Sequence, residues 1–208
     1  MTMHIAPPAD SADTERLYRA SADAQGFVMN LTRAWAWRPE VFDGFAALRG
    51  QLTAASALSP RDQAVIVCAS AAALGDSYCA LAWGRTLAKA AGASVAAAVI
   101  GGRDDAGALT ARDRALAAWA RQVVADPNAT SPGQVAALRD AGFDDRGIFE
   151  ATVFIAFRLA FSTVNDALGA RPDAELATAA PGPVRRAVRF GRPVDEVASE
   201  PGGPPPQT

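Results

Sequence analysis

Apolar residues recur at helical spacing along most of the chain, and the apolar–polar alternation of half-buried strands is nearly absent. The pattern predicts an all-α domain, a helical bundle. A first helix over 14–24 stops at Gly26, and a short connector leads to a helix over 31–37. Pro39 opens another, to about residue 55, from a first-turn position where its missing N–H costs nothing. Ser59-Pro60 is a helix start, with Ser as N-cap and Pro at the first helical position. The helix that follows is apolar almost all round over 64–74, which predicts a central, buried position. Gly75 ends it, and Asp76 caps the next helix, over 77–91, which Gly92 closes. Further helices are expected over 94–100, from Thr110 to about 124, from the capping box Ser131-Pro132-Gly133-Gln134 to about 140, and from Asp144 or Asp145 to Gly169.

After Pro172 the pattern breaks down. Recurrent prolines forbid a long helix, and the last residues are expected to be disordered. The organisation that follows is a disordered N-terminus (1–12), a helical domain (13–173) and a C-terminal extension (174–208), partly disordered. Residues 184–190 are both basic and apolar, and either dock on the body or hang from it as a loose tail.

Composition narrows the function classes. The chain has 208 residues and a formal net charge of −2, and its cations are arginines except for Lys89. No basic stripe is present for a nucleic-acid backbone. The most apolar runs, 64–74 and 148–161, fall short of the ~20 residues a membrane span needs. The first ten residues lack the basic-then-apolar order of a signal peptide, so a cytoplasmic protein is expected. Two cysteines, Cys68 and Cys79, make no disulfide framework, and with one histidine, His4, no metal site or other cofactor is expected.

Several segments stand in a recognisable order: Gly26-Phe27-Val28-Met29-Asn30, Arg38-Pro39-Glu40-Val41-Phe42, Leu58-Ser59-Pro60-Arg61-Asp62, Tyr78-Cys79, Leu109-Thr110-Ala111-Arg112-Asp113 and Ala141-Gly142-Phe143-Asp144-Asp145. Over about 24–173 the chain resembles the peroxidase-related branch of the AhpD-like, carboxymuconolactone decarboxylase family. The resemblance implies an all-helical domain that assembles into homo-oligomers, as dimers, trimers or hexamers. Family peroxidases use a glutamate ahead of a Cys-x-x-Cys pair that is followed, after three more residues, by a histidine. The pair sits at a helix N-terminus, where the dipole favours thiolate, and the histidine and glutamate pass the proton. Laid on this sequence, the glutamate position is Ala64, the first cysteine Asp76 and the histidine Trp83; Cys79 alone is kept.

The altered site sets the candidate chemistry. Cys79 falls in the first turn of its helix, where aligned amides lower a thiol pKa, while the carboxylate of Asp76 opposes that effect. It is either a buried structural residue or a reacting thiol. Cys68, one turn beyond Ala64 on the same face, offers a relocated dithiol with Cys79 across the Gly75 turn, provided the Cα atoms approach within ~7 Å. Asp76 is an N-cap worth on the order of 1 kcal/mol, or a general acid or base at the pocket mouth. Trp83 closes the pocket or selects a flat ligand. Arg158, Ser162 and Asn165, spaced i, i+4 and i+7, share one face of the last apolar helix. A buried arginine needs a partner: a salt bridge to Glu150, Asp166 or a neighbouring subunit, or the anion of a substrate. Trp35 and Trp37 are expected on opposite faces of their short helix, one in the core.

Three functions are compatible with these residues. The first is a diverged family member that binds or transforms a small organic molecule, a carboxylate among the options, without Cys-x-x-Cys chemistry; its catalytic set would be Cys79, Asp76 and Cys68, and its substrate contacts Trp83, Arg158, Ser162, Asn165 and Ala64. The second is a thiol-dependent alkylhydroperoxidase using Cys79 with Cys68. The third is a non-catalytic oligomeric scaffold.

Overall fold

The helix over Pro60–Leu74 organises the molecule, because it is the segment with no polar face to give to water. Ala64 through Ala71 are all buried along it, Ser70 included. A computed structural model describes residues 3–104 and 107–195 of the chain; the last thirteen positions, read from sequence as disordered, lie outside the described residues. Among the described residues all regular structure is helical. Eleven α-helices follow in order: α1 (Ala12–Gln25), α2 (Asn30–Trp35), α3 (Pro39–Thr53), α4 (Pro60–Leu74), α5 (Ser77–Ala91), α6 (Ala93–Ile100), α7 (Ala111–Ala125), α8 (Pro132–Asp140), α9 (Asp145–Ala167), α10 (Ala174–Ala179) and α11 (Gly182–Ala187). The fold is the all-α one that the pattern predicts.

Helix α4 is enclosed by α5, α7 and α9, with α6 against α5. Gly75 makes the α4–α5 hairpin possible. It sits at φ 77°, the left-handed region that a side chain disfavours, and the two amides at the turn return to the carbonyls of Ala71 and Ala72.

Helices α4 and α7 are joined at their N-termini by a crossed clamp. Each begins with a capping box, Ser59 with Asp62 and Thr110 with Asp113, in which the aspartate returns to the N-cap backbone and hydroxyl. The arginine beside each box then reaches the other box. Arg61 binds Asp113 through two nitrogens at 2.9 and 2.6 Å, and Arg112 binds Asp62 at 2.9 and 3.1 Å. Arg112 also lies over the ring of Phe143, 3.5 Å from its centre. The two carboxylates are almost fully buried, yet each has four hydrogen bonds from its cap and its cation, so their desolvation is offset.

Both ends of the chain are tied to the body where the structure describes them. The N-terminus was expected to fray, but Met3 is buried and the amide of His4 bonds the carbonyl of Leu168 at 2.9 Å, at the end of α9. In the extension, two short helices form between the prolines. Residues 184–190 take the docked alternative rather than the loose tail: Val184 is fully buried and α11 lies on α6 and α5. Gly84 of α5 makes this possible. A Cβ there would stand 2.6 Å from Val184 Cγ1 and 2.9 Å from Ile100 Cδ1.

Helix α9 has 23 residues and an 18-residue window of mean hydropathy 1.5, long and apolar enough by those measures to cross a membrane. The apolar run read from the sequence was shorter because it stopped at Phe161. In the fold, α9 lies against α4 and α7 and carries Arg158, Ser162 and Asn165 as buried residues.

Candidate functional site

The site is built where the first turn of α5 meets the middle of α9. Asp76 caps α5 by accepting the Cys79 amide on Oδ1 at 2.8 Å, which places the sulfur in the first turn. From α9, the face predicted by the i, i+4, i+7 spacing arrives opposite. Arg158 donates from Nη2 to Cys79 Sγ at 3.1 Å, and the Ser162 hydroxyl lies 3.5 Å from the same sulfur. Asn165 completes the row by accepting the Trp35 indole N–H on Oδ1 at 2.8 Å.

Opposing influences act on the thiol. Burial pushes the Cys79 pKa up, the Asp76 carboxylate pushes it further, and the Arg158 cation and Ser162 hydroxyl oppose them only in part, leaving it at about 12. The resting sulfur is therefore a neutral thiol. Both cysteines are free, so the dithiol across the Gly75 turn is not bridged. Cys68 is fully buried on α4, with its pKa driven up by burial and by proximity to Cys79.

Arg158 lacks the carboxylate that a buried cation usually finds. The expected bridges to Glu150 and Asp166 do not form. Glu150 is taken by Arg146, the Ser56 hydroxyl and the Ala57 amide, on the far side of the helix end. Asp166 faces Asp76 and Arg192 instead, and burial followed by the Asp76 charge raises its carboxyl to about 7. The guanidinium is 5% exposed as part of its residue and stacks near the rings of Phe161 (4.9 Å) and Trp83 (5.6 Å). Among the described protein atoms, Arg158 Nε, Asp76 Oδ2 and Asn165 Nδ2 are buried with no hydrogen-bond partner.

A cavity of about 380 Å³ opens above the sulfur. Cys79, Trp83 and Arg158 line it, whereas Ala64, Cys68, Asp76, Ser162 and Asn165 do not. Its apolar wall comes from Phe42 and Phe45 of α3, Phe157 and Phe161 of α9, and Tyr78 and Trp83 of α5. These rings also hold one another: Trp35 stacks on Phe161 at 5.1 Å and 12°, and Phe45 meets Phe157 at 4.8 Å. Trp35 is core and Trp37 is 52% exposed, but α2 ends at Trp35, so Trp37 lies beyond the short helix expected to carry both. Tyr78 hydrogen-bonds Asp173, which also receives the Asn30 amide at 2.9 Å, so the segment after α9 and the start of α2 are tied to the cysteine's helix.

Two arginines that the sequence reading passed over complete the lining, Arg49 of α3 and Arg85 of α5, both solvent-exposed. A signal for Arg49 was present: Phe42, Phe45 and Arg49 fall at i, i+3 and i+7, one face of α3. Desolvation lowers the Arg49 pKa, and the Arg158 charge adds to the effect. Among the described residues no group of three His, Cys, Asp or Glu stands close enough to hold a metal ion.

Comparison with known proteins places this site on a known scaffold. Residues 39–101 match the family model described as the carboxymuconolactone decarboxylase family, a segment that runs from α3 to the end of α6 and contains Cys79. No curated protein matches the chain in sequence. Among solved structures, an AhpD-core, peroxidase-related protein from Ralstonia eutropha JMP134 is similar at 25% identity and TM-score 0.73, over 85% of this chain and 95% of that one. A peroxidase-related protein from Silicibacter sp. TM1040 is similar at 22% identity and TM-score 0.75, over 84% and 94%. The debrominase Bmp8 shares the fold at 15% identity and TM-score 0.70, over 91% and 98%. The family-model match over 39–101, the Ralstonia likeness and the fold together support assignment to the AhpD-like, carboxymuconolactone decarboxylase family.

Proposed function

We propose that the protein binds or transforms a small planar organic molecule in the cavity above Cys79, without dithiol peroxide chemistry. One observation carries the reading: a ring-walled cavity whose floor joins a neutral thiol to a buried arginine. A cavity of this size with mostly apolar walls and few polar groups is the usual form of a small-molecule site. By the resemblance, the positions of the family's proton relay fall on Ala64, Asp76 and Trp83, and a thiol near pKa 12 is a poor peroxide nucleophile at neutral pH. A scaffold role is less favoured, because Trp83 stands in the wall and leaves the space beside it open. In the debrominase, a cysteine-to-alanine variant was captured with 2,3,4-tribromopyrrole, a flat ring of the kind this cavity fits by size.

The reading extends to assembly. Helix α3 has no buried residue, and Val41, Leu48, Trp37 and Phe149 are exposed apolar side chains, which fits a homo-oligomer; light scattering should give a multiple of 21.5 kDa, and a monomer contradicts this part.

The function is tested by melting the protein with a panel of single-ring compounds. A ligand at about ten times its Kd adds about 1.4 kcal/mol, a rise of roughly 3–5 °C for a chain of this size. The rise should vanish in Ala82→Trp, which fills the cavity from its wall. Hydroperoxide consumption with a dithiol reductant should stay at the level of Cys79→Ser. No shift with any ring compound, or Cys79-dependent peroxide turnover, contradicts the proposal.

A further inference from the structure

We infer that the ligand of this cavity is an aromatic carboxylate, and that Arg49 and Arg158 together form its receptor; the inference rests on the cavity being a small-molecule site. Arg49, Arg85 and Arg158 line the cavity, and no aspartate or glutamate does. None of the three forms an ion pair among the described residues, although nine ion pairs occur elsewhere in the fold.

Arg158 and Arg49 also act on each other. Arg49 senses the Arg158 charge as a like charge, and its own cation is disfavoured by partial burial. Two guanidiniums facing one apolar space repel, and an anion between them removes the repulsion and supplies the ion pair that neither has among the described residues. Arg158 is more than nine-tenths buried and still has a free Nε donor. That edge of the guanidinium fork is the one a carboxylate engages in a two-point hydrogen bond. The sulfur of Cys79, already held by Nη2, then lies beside the bound acid.

The walls decide what carries the acid. Six aromatic side chains line the cavity, and they offer faces and edges to a flat ring rather than sockets for a branched chain. A carboxylate on a ring places its charge in the ring plane, so a ring against the aromatic wall leaves the acid free to reach the arginines.

The test uses matched probes on the full-length chain by calorimetry: benzoate, its neutral isostere benzamide, and cyclohexanecarboxylate. Benzoate should bind at least about tenfold more tightly than benzamide, the scale of one charge-assisted pair. In Arg49→Gln, a change at an exposed side chain, the advantage of benzoate over benzamide should fall to about twofold. Cyclohexanecarboxylate should bind several-fold more weakly than benzoate. Equal binding of benzoate and benzamide, or benzoate affinity unmoved in Arg49→Gln, overturns the carboxylate receptor and leaves the small-molecule site standing. Equal binding of the saturated acid overturns the aromatic half. Binding of none of the three, nor of the larger naphthoate and naphthamide, overturns the inference and the small-molecule site together.

Discussion

The molecule buries arginine and aspartate at two places and treats them in opposite ways. At the α4–α7 clamp each aspartate is held by a capping box and by a bidentate arginine from the other helix. At the α5–α9 site Asp76 and Arg158 are both buried beside Cys79, yet they are not paired with each other, and each keeps a polar atom without a partner. The first arrangement is a finished structural joint. The second is an incomplete one, which is costly unless something from outside the chain completes it. The difference teaches that burial of charge marks function only when the local accounting of hydrogen bonds does not close.

The clamp should give the largest effect on stability. Replacing Arg61 by Met leaves Asp113 buried without its cation and should cost about 3 kcal/mol at pH 7 in urea unfolding. The hydrogen bonds from Arg61 and Thr110 hold the Asp113 carboxyl below its usual range, despite burial. Its contribution is therefore present above the unfolded pKa and lost as the pH falls through the lower folded value. The deficit of the variant should shrink below about pH 4, and a deficit independent of pH contradicts the ion-pair account.

A smaller effect, of opposite sign, is expected beside the site. Asp166 has a folded pKa of about 7, raised by burial and by Asp76 above its unfolded value. Ionised Asp166 is thus unfavourable in the fold, and the wild type should lose stability between about pH 4 and 7 and then level off. Asp166→Asn removes that loss, so the variant should be the more stable at pH 8, by on the order of 1 kcal/mol after solvent screening. A variant less stable than wild type at pH 8 contradicts this reading.

Much of this frame was legible in the sequence because its signals are local. Ser59-Pro60, Thr110, Gly75 and Asp76 each mark a helix end through their own chemistry, and all four act as read. The face of Arg158, Ser162 and Asn165 follows from helical spacing alone. What was not legible depends on the third dimension. The spacing could not say that Glu150 is engaged by Arg146, or that Arg158 meets a sulfur rather than a carboxylate. Arg49 looked like one more surface cation on α3, a helix whose aromatic face has meaning only once α9 lies beneath it. The docking of Met3 and His4 was hidden, and that of Val184 left open, for a different reason: short segments carry no periodicity, and their partners are distant in sequence.

The central claim is that Arg158 is held for a ligand and does not hold the fold together. The most direct measurement is the urea unfolding of Arg158→Met at pH 7 without ligand, beside Arg61→Met under the same conditions. Methionine fills the same space without a cation to desolvate, so Arg158→Met should match the wild type within about 1 kcal/mol or exceed it. A loss of about 3 kcal/mol, equal to that of Arg61→Met, would show that Arg158 is a structural joint like the clamp and would contradict the account.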